Sequence, residues 1–315
     1  MTARVWWPLP NGNLPAIPSK SCAHRLMICA ALSKEETFLR FGIFSRDMEA
    51  TSRCLSALGA AILPQENGLL VRPVRSQAKR PLLDCGESGS TYRFLLPVAC
   101  ALHADAEFLL AGRLPQRPMD AMFSALRPHG VSVRGEGTNR VSALGQLTPG
   151  RFDLPGSVSS QYVSALFFAL PLLHEDSEIV LSDDLESAGY VTMTLDALKQ
   201  FGVSAQPLRH GWRVPGGQQY RSPGIVSAEG DWSNAALLLC AAAARGSVTL
   251  TGLARNSHQG DRAVMDLIQA MGARVTQRED SVTVAADSLS SVEIDLSSIP
   301  DLAPALAVGA PPAAA

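Results

Sequence analysis

The sequence lacks the features that would place the protein in a membrane or on a secretion route. The longest uncharged apolar runs, Val163–Leu173 and Ala235–Ala244, are shorter than the about 18 residues that a membrane-spanning helix needs. The N-terminal segment has one arginine followed by aromatic residues and prolines, with no apolar signal region or small-residue cleavage site. We therefore expect a soluble, cytoplasmic protein.

The spacing of the six cysteines and the scarcity of clustered charges exclude other classes of protein. No C-x-x-C pair occurs, and no cysteine is spaced from a histidine as a zinc ligand would be, so we expect no disulfide framework and no metal site. Most of the thiols are expected to pack as small apolar groups. The net charge is −2, and no basic stripe is present for the phosphates of a nucleic acid. Any anionic ligand is expected to be small and to meet a few local cations.

An internal repeat is the main positive feature of the chain. Of 315 residues, 46% are hydrophobic and 18% charged, which gives ample material for a folded core. Four segments place small or hydroxyl-bearing residues before an Ala- and Leu-rich helix: Ser19–Leu32, Gly89–Leu102, Ser159–Leu172 and Trp232–Ala244. Their aligned serines, which we expect to cap the helices, lie 69, 70 and 73 residues apart: Ser21, Ser90, Ser160 and Ser233.

A second helix recurs in each unit and ends on a glycine, the usual stop because glycine adopts positive φ freely. These glycines lie 71, 72 and 70 residues apart: Gly59, Gly130, Gly202 and Gly272. Strand-like runs separate the helices: Leu69–Val74, Glu107–Ala111, Val141–Leu144, Glu178–Leu181, Val248–Thr251 and Val282–Ala285. The pattern predicts an α/β fold made of repeated β-α-β-α-β-β units of about 70 residues.

The starts of the first three repeated helices carry cations and neutral polar groups. Helix N-termini bind anions because their N–H groups and dipole present positive potential. The residues concerned are Lys20, Ser21 and Arg25 in the first unit, Gly86, Gly89, Ser90 and Arg93 in the second, and Ser159, Ser160 and Gln161 in the third. Arg117, which precedes Pro118, is also expected at a helix start. A lone serine or lysine there is more simply a cap, but recurrence in three units favours anion binding.

Three aspartates and the histidines receive a simpler interpretation. Asp47, Asp231 and Asp301 are each consistent with a helix cap and nothing more. The six histidines are scattered, and no chemistry is assigned to them.

Seven motifs together resemble, in order and spacing, the 5-enolpyruvylshikimate-3-phosphate synthase (3-phosphoshikimate 1-carboxyvinyltransferase) family. They are PSKSCAHR, LDCGESGSTYRFL, GRLPQRPM, PGSVSSQYVSAL, EGDWSNAALLL, QGD and IPDLAPALAV. The related UDP-N-acetylglucosamine enolpyruvyl transferases share the fold and are kept as an alternative, although their early Lys-Asn and reactive Cys motifs do not occur here. Glu87 and Ser88 depart from the family's frequent Asn-Ala, and a carboxylate facing the site would repel an anion.

The resemblance implies two domains of three units each, of which the second is incomplete here. Residues 20–229 would form the complete domain, on the shikimate 3-phosphate side, and residues 1–19 with 230–315 the partial one. A fifth unit begins near Asp301, and the chain stops inside it, as expected of a truncated chain. The alternatives are a catalytically impaired binder of shikimate 3-phosphate and a half completed by another polypeptide. The apolar helix Leu302–Val308 is then expected to be exposed.

The activity implied by the resemblance is transfer of the enolpyruvyl group of phosphoenolpyruvate to the 5-hydroxyl of shikimate 3-phosphate, with release of phosphate. It needs no metal or organic cofactor, and it implies two small-molecule substrates and a monomer when the chain is complete. Carried over by motif, the shikimate 3-phosphate residues are Lys20, Ser21, Arg25, Ser159, Ser160, Gln161, Ser187, Tyr190 and Asp301. The phosphoenolpyruvate residues are Lys20, Gly89, Arg117 and Gln161. Lys20 and Asp301 are the implied catalytic residues.

Overall fold

The computed structural model describes residues 12–42, 44–76, 79–296 and 299–309. The chain divides into two compact units. The larger unit is Lys20–Ala228, and the smaller one combines residues up to Ser19 with those from Glu229 onward. No helix among the described residues is long and apolar enough to cross a membrane.

Helices and strands alternate as the repeat predicts. The α-helices are α1 Lys20–Leu32, α2 Arg46–Ala57, α3 Gly89–Ala101, α4 Asp120–Leu126, α5 Ser160–Ala169, α6 Ala188–Gln200, α7 Trp232–Ala244, α8 Val264–Ala270 and α9 Ala303–Gly309. Short 3₁₀ turns lie at Leu114–Gln116, Arg127–His129, Leu170–Leu172, Gly260–Ala263 and Pro300–Leu302. The four predicted Ala- and Leu-rich helices are confirmed as α1, α3, α5 and α7.

The strands complete the repeated unit. They are β1 Gly12–Pro15, β2 Thr37–Arg40, β3 Ala61–Gln65, β4 Gly68–Arg72, β5 Leu82–Gly86, β6 Ala106–Leu110, β7 Ser132–Arg134, β8 Arg140–Leu144, β9 Arg151–Leu154, β10 Ser177–Leu181, β11 Gln206–Leu208, β12 Gly211–Val214, β13 Ile225–Ser227, β14 Ser247–Thr251, β15 Arg274–Gln277 and β16 Ser281–Ala285. The six predicted strand runs are confirmed as β4, β6, β8, β10, β14 and β16.

The described strands form four sheets of four strands with one shared topology. The orders are β5-β6-β8-β7, β9-β10-β12-β11, β13-β2-β4-β3 and β1-β14-β16-β15. In each sheet the first two strands are parallel and the other neighbours antiparallel. A helix connects the second and third strands of the unit, so the predicted β-α-β-α-β-β pattern is confirmed.

Two strands are exchanged between the first and fourth repeats. By the repeat, β1 would precede α1 in the first sheet, but it pairs with β14 in the smaller unit. Conversely, β13 precedes α7 in the chain and pairs with β2 in the larger unit, with Ile225 opposite Phe38. Each of these two sheets is therefore completed by a strand that is distant in sequence from the other three strands of that sheet.

The predicted helix stops are confirmed at the glycines, which have positive φ. Gly130 has a φ of 82°, and a β-carbon there would stand 2.6 Å from the carbonyl oxygen of Gln146. At Gly59, with a φ of 112°, the carbonyl oxygen of Ser76 fills the same place. Only a residue without a side chain allows both the conformation and the close strand.

Each unit has its own apolar core. In the larger unit α1, α3 and α5 are buried almost throughout, which explains why their sequences are apolar on all sides. Five of the six cysteines are buried, as expected. In the smaller unit α9 packs against α7 and buries Leu302, Ala305 and Leu306. The expected exposure is therefore wrong for the face of α9 that packs on α7, whereas the opposite face is exposed as expected, with Val308 at 55%.

Candidate active site

The caps of the repeated helices lie one or two residues before the serines that the repeat aligns. Ser88 Oγ accepts from the N–H of Thr91 at the start of α3, and Ser159 Oγ accepts from the N–H of Gln161 at the start of α5. Asp231 caps α7, as predicted. The predicted caps Ser21, Ser90, Ser160 and Ser233 are wrong, since all four lie inside the first helical turn. Their hydroxyls are thereby released from capping.

Gly89 opens α3 between two guanidinium groups. A β-carbon at this position would stand 3.0 Å from Arg117 Nη1 and 3.7 Å from Arg93 Nη1. The missing side chain leaves the first turn of α3 open beside two positive charges. Because the N-terminus of a helix adds its own positive potential, this arrangement favours the binding of a small anion.

Gln161 links the starts of α3 and α5. Its Oε1 accepts from Arg93 Nη1 at 2.7 Å, and its Nε2 donates to Ser90 Oγ at 3.2 Å. Arg93 also lies over the ring of Tyr162, with its Cζ 5.7 Å from the ring centroid. Burial lowers the pKa of Arg93, although arginine remains charged at neutral pH. Arg93 and Tyr162 belong to this cluster but are not among the residues carried over from the family.

Arg117 reaches Gly89 from a connecting segment. It follows the 3₁₀ turn Leu114–Gln116, and α4 begins only at Asp120, so the predicted helix start at Arg117 is wrong. The segment is held by Pro118, whose carbonyl oxygen accepts from Tyr162 Oη at 2.5 Å and from Arg93 Nη2 at 3.4 Å. The exposed Arg117 side chain is thus presented by backbone that is fixed to α3 and α5.

Arg25 is buried and joins α1 to α6. Its Nε donates to Thr194 Oγ1 at 2.8 Å, Nη1 to the Ser21 carbonyl at 2.7 Å and Nη2 to the Tyr190 carbonyl at 2.9 Å. Burial lowers its pKa to about 10, so it stays protonated at neutral pH. Three predicted residues, Ser21, Arg25 and Tyr190, are therefore brought together.

Lys20 begins α1 and pairs with Asp47 of α2. Lys20 Nζ lies 2.9 Å from Asp47 Oδ2, and both side chains are partly exposed. Ser45, not Asp47, caps α2 through the N–H of Met48, so the predicted capping role of Asp47 is wrong. Asp47 instead orients the amine of Lys20.

The loops that carry Ser159 and Ser187 are tied together by Asp183. Its carboxylate accepts from the N–H groups of Gly156 and Ser157 and from the Ser157 hydroxyl. These bonds, above all that from the Ser157 hydroxyl, lower the pKa of Asp183. Ser187 precedes α6 with a φ of 53°, a conformation that non-glycine residues rarely adopt and that clusters at functional sites.

The corresponding helix of the smaller unit begins among carboxylates. Asp231 caps α7, the Ser233 hydroxyl donates to Asp261, and Asp301 lies exposed in the 3₁₀ turn Pro300–Leu302. Burial raises the pKa of Asp261, and the charges of Asp301 and Asp231 add to this rise, while the hydrogen bond from Ser233 opposes it. This end of the smaller unit suits a hydroxyl or cationic group rather than an anion.

Glu87, the departure noted in the sequence, lies against Gly112. The carboxyl carbon of Glu87 is 2.6 Å from the point where a β-carbon would stand at Gly112. Its side chain borders a cavity of about 490 Å³ that Arg46 and Arg53 also line. No group of three or more histidine, cysteine or acidic residues within the described ranges is arranged to hold a metal ion.

Comparisons with known proteins identify the family. The model of the EPSP synthase (3-phosphoshikimate 1-carboxyvinyltransferase) family matches residues 10–314. The chain belongs to the EPSP synthase family.

Individual EPSP synthase relatives and structures match most of the chain. It is 35% identical over 303 residues to the 3-phosphoshikimate 1-carboxyvinyltransferase of Clostridium perfringens (strain ATCC 13124), covering 95% of this chain and 71% of the relative. It is 36% identical over 299 residues to the protein of that name from Clostridium kluyveri, covering 94% and 70%.

Solved structures share the fold at lower identity. EPSP synthase from Acinetobacter baumannii aligns with a TM-score of 0.78 at 22% identity, covering 94% of this chain and 70% of that one. The enolpyruvyl transferase NikO from Streptomyces tendae aligns with a TM-score of 0.69 at 17% identity, covering 88% and 66%. The enolpyruvyl transferase fold predicted from the sequence is confirmed.

Proposed function

We propose that this EPSP synthase family member transfers the enolpyruvyl group of phosphoenolpyruvate to the 5-hydroxyl of shikimate 3-phosphate and releases phosphate, a step toward the aromatic amino acids. The hydroxyl oxygen bonds to C2 of phosphoenolpyruvate while C3 takes a proton. The tetrahedral adduct then loses a proton from C3 and phosphate from C2, which leaves the enolpyruvyl ether. No oxidation occurs, so the residues need only to bind anions and move protons.

The observation that carries the proposal is the cationic pocket at the start of α3. Gly89 lies between Arg117 and Arg93, and Gln161 fixes the second of these. We assign Gly89, Arg117, Gln161 and Lys20 to phosphoenolpyruvate. Two guanidinium groups and a helix N-terminus suit a small ligand that bears a phosphate and a carboxylate.

The shikimate 3-phosphate residues are assigned to the starts of α1, α5 and α6. The assigned set is Lys20, Ser21, Arg25, Ser159, Ser160, Gln161, Ser187 and Tyr190. Arg25 uses three of its five N–H donors inside the unit, on Thr194, Ser21 and Tyr190. Its main role is therefore to hold Ser21 and Tyr190 in place, while Ser159 and Ser187 are held by the loops tied through Asp183.

Proton movement is assigned to Lys20 and Asp301. Asp301 is a carboxylate that accepts the proton of the 5-hydroxyl, and the amine of Lys20 donates to the reacting phosphoenolpyruvate. The pairing of Lys20 with Asp47 orients the amine.

A reducing compartment and a monomeric state complete the proposal. The Sγ atoms of Cys54 and Cys85 approach to 4.0 Å without a disulfide, and both are buried. Thiols kept in this state are typical of the cytoplasm. We propose a cytoplasmic monomer that acts on two small anions.

The proposal is tested by phosphate release from the purified chain with both substrates, and with each one alone. We expect release only with both. Arg117→Ala should lower kcat/KM for phosphoenolpyruvate by about 100-fold, because a charged hydrogen bond to phosphate contributes about 1.5–3 kcal/mol. Arg113→Ala removes an exposed arginine four positions earlier and is the matched control.

Calorimetric titration separates the remaining outcomes. Binding of shikimate 3-phosphate without phosphate release would identify the chain as a binder of that compound and refute the transferase activity. Binding of neither substrate would refute both assignments. Equal losses in Arg117→Ala and Arg113→Ala would remove Arg117 from the site.

A further inference from the structure

A chain of buried hydrogen bonds runs from α1 through α2 to the cap of α3. His24 Nδ1 lies 2.7 Å from Thr51 Oγ1, and Thr51 Oγ1 lies 2.7 Å from Thr91 Oγ1. Thr91 Oγ1 donates to Ser88 Oγ at 2.7 Å. His24, Thr51 and Thr91 are fully buried, and Ser88 is 2% exposed. The chain therefore ends on the residue immediately before Gly89.

The ring of His24 sets the direction of this chain. Burial lowers its pKa to about 3, so the imidazole is neutral at physiological pH and carries one N–H. Nε2 has no hydrogen-bond partner among the described residues. A buried N–H without an acceptor is rarer in proteins than an acceptor with an unused lone pair. The proton therefore belongs on Nδ1, which donates to Thr51.

Every later hydroxyl then donates toward Ser88. Thr51 accepts from His24 and donates to Thr91, whose single hydroxyl proton points to Ser88 Oγ at 2.7 Å and, as a weaker second branch, to the Asp47 carbonyl oxygen at 3.4 Å. Ser88 Oγ also accepts from the backbone N–H of Thr91 at 3.4 Å, so both of its lone pairs are engaged. The Ser88 hydroxyl is left with its own proton as a donor at the start of α3.

The chain connects the two segments assigned to phosphoenolpyruvate. Ser88 precedes Gly89, and Thr91 Oγ1 also lies 3.4 Å from the carbonyl oxygen of Asp47, the partner of Lys20. The surrounding helices are otherwise packed with apolar side chains. Apolar side chains in place of His24, Thr51 and Thr91 would leave no unpaired Nε2 in the core. The directional hydrogen bonds instead fix one arrangement of α1, α2 and α3.

We propose that His24 is a positioning residue of the phosphoenolpyruvate side: its Nδ1–H orients Thr51, Thr91 and Ser88 and so holds the first turn of α3 and the Lys20–Asp47 segment in register. This rests on the proposed function for its kinetic consequence. The direction of the hydrogen bonds from His24 to Ser88 does not depend on catalytic turnover.

The test replaces His24 by asparagine or by glutamine, whose side-chain amides lie at different distances from the backbone. Asparagine places its amide nitrogen at the Nδ1 position and glutamine near the Nε2 position, and both are neutral. We expect His24→Asn to keep KM for phosphoenolpyruvate within about twofold, and His24→Gln to raise it about tenfold. KM for shikimate 3-phosphate should rise less, about threefold in His24→Gln, because Lys20 is assigned to both substrates whereas the first turn of α3 is assigned to phosphoenolpyruvate alone. Thr51→Ser and Thr51→Val form a second pair with the same expected contrast.

A merely structural role for His24 would give a different result. It would lower the melting temperature of His24→Asn and His24→Gln alike and change neither KM selectively, which would overturn the proposal. Equal KM values for phosphoenolpyruvate in Thr51→Ser and Thr51→Val would also overturn it.

Nitrogen NMR of the parent chain decides the proton position without any turnover. We expect the Nδ1–H tautomer of His24, unchanged between pH 5 and 8, and the Nε2–H tautomer would refute the proposed direction. If the parent binds neither substrate, the proposed function fails separately. Hydrogen exchange of the Thr91 amide then tests the positioning: exchange should be faster in His24→Gln than in His24→Asn, and equal rates would refute it.

Discussion

Helices α5 and α7 occupy the same place in the repeat, yet their first turns carry opposite chemistry. α5 is capped by the neutral hydroxyl of Ser159, whereas α7 is capped by the carboxylate of Asp231. The second helical residue of α7, Ser233, donates to the buried Asp261, while its counterpart in α5, Gln161, binds Arg93 and Ser90. Two helices with almost the same apolar body thus begin in environments of different charge.

The difference shows how one scaffold gives two kinds of site. A carboxylate at the cap neutralises the partial positive charge of the helix start, so α7 has little potential left for an anion. A serine cap satisfies the same N–H groups without charge and leaves that potential to a ligand. The repeat therefore sets where a helix begins, and the capping residue sets what it binds.

Giving α5 the cap of α7 is expected to have the largest effect. In Ser159→Asp the new carboxylate still caps the helix, but it repels an anion at the same N-terminus by a few kcal/mol. We expect the affinity for shikimate 3-phosphate, measured by titration calorimetry, to fall about 100-fold, with an unchanged or higher melting temperature. Ser159→Asn is the matched neutral cap and should lose less than about fivefold. Equal losses in the two variants would contradict the electrostatic explanation.

A methyl group at the start of α3 is expected to have a smaller effect. In Gly89→Ala the β-carbon would stand 3.0 Å from Arg117 Nη1, so the guanidinium has to move while the backbone stays helical. We expect KM for phosphoenolpyruvate to rise about tenfold, the equivalent of about 1.4 kcal/mol. KM for shikimate 3-phosphate serves as the internal control. An unchanged KM for phosphoenolpyruvate would show that Gly89 does not face this ligand.

The pH dependence of the acidic start of α7 is expected to be the smallest effect. Because the folded pKa of Asp261 is raised, its ionisation destabilises the fold above that pKa, and the penalty disappears as the pH falls through it. Asp261→Asn keeps a neutral acceptor for Ser233, so it should melt a few degrees above the parent at pH 7. We expect this difference to shrink toward pH 4 in thermal unfolding followed by circular dichroism. A gap that widens toward acid pH would refute the sign, and Asp183→Asn is the comparison, since the pKa of Asp183 is lowered.

Much of the fold follows from the sequence because it depends on local patterns. Apolar helices, short strands and terminal glycines recur at a fixed spacing, and helix stops such as Gly130 need a conformation that favours glycine. The exchange of β1 and β13 carries no such signal. Both strands have the composition that either sheet accepts, and only packing between distant parts of the chain selects the partner.

The residue types of the proposed site come from the sequence, whereas much of the geometry around them does not. Tandem serines such as Ser159 and Ser160 leave the cap ambiguous by one residue, and only the backbone conformation decides it. Burial of Arg25 and the use of its donors by α6 depend on a helix more than 160 positions away. His24 gave no signal because a single histidine in an apolar helix has the same appearance with or without a polar chain behind it.

The position of β13 also governs how the protein is assembled as it is synthesised. In the sheet β13-β2-β4-β3, strand β2 lacks its parallel neighbour until Ile225 is available to pair with Phe38. Nearly the whole larger unit must therefore leave the ribosome before this sheet is complete. Pairings this distant in sequence are slow to form. During that interval the open edge of β2 is a site where chaperones or a second nascent chain have the opportunity to bind.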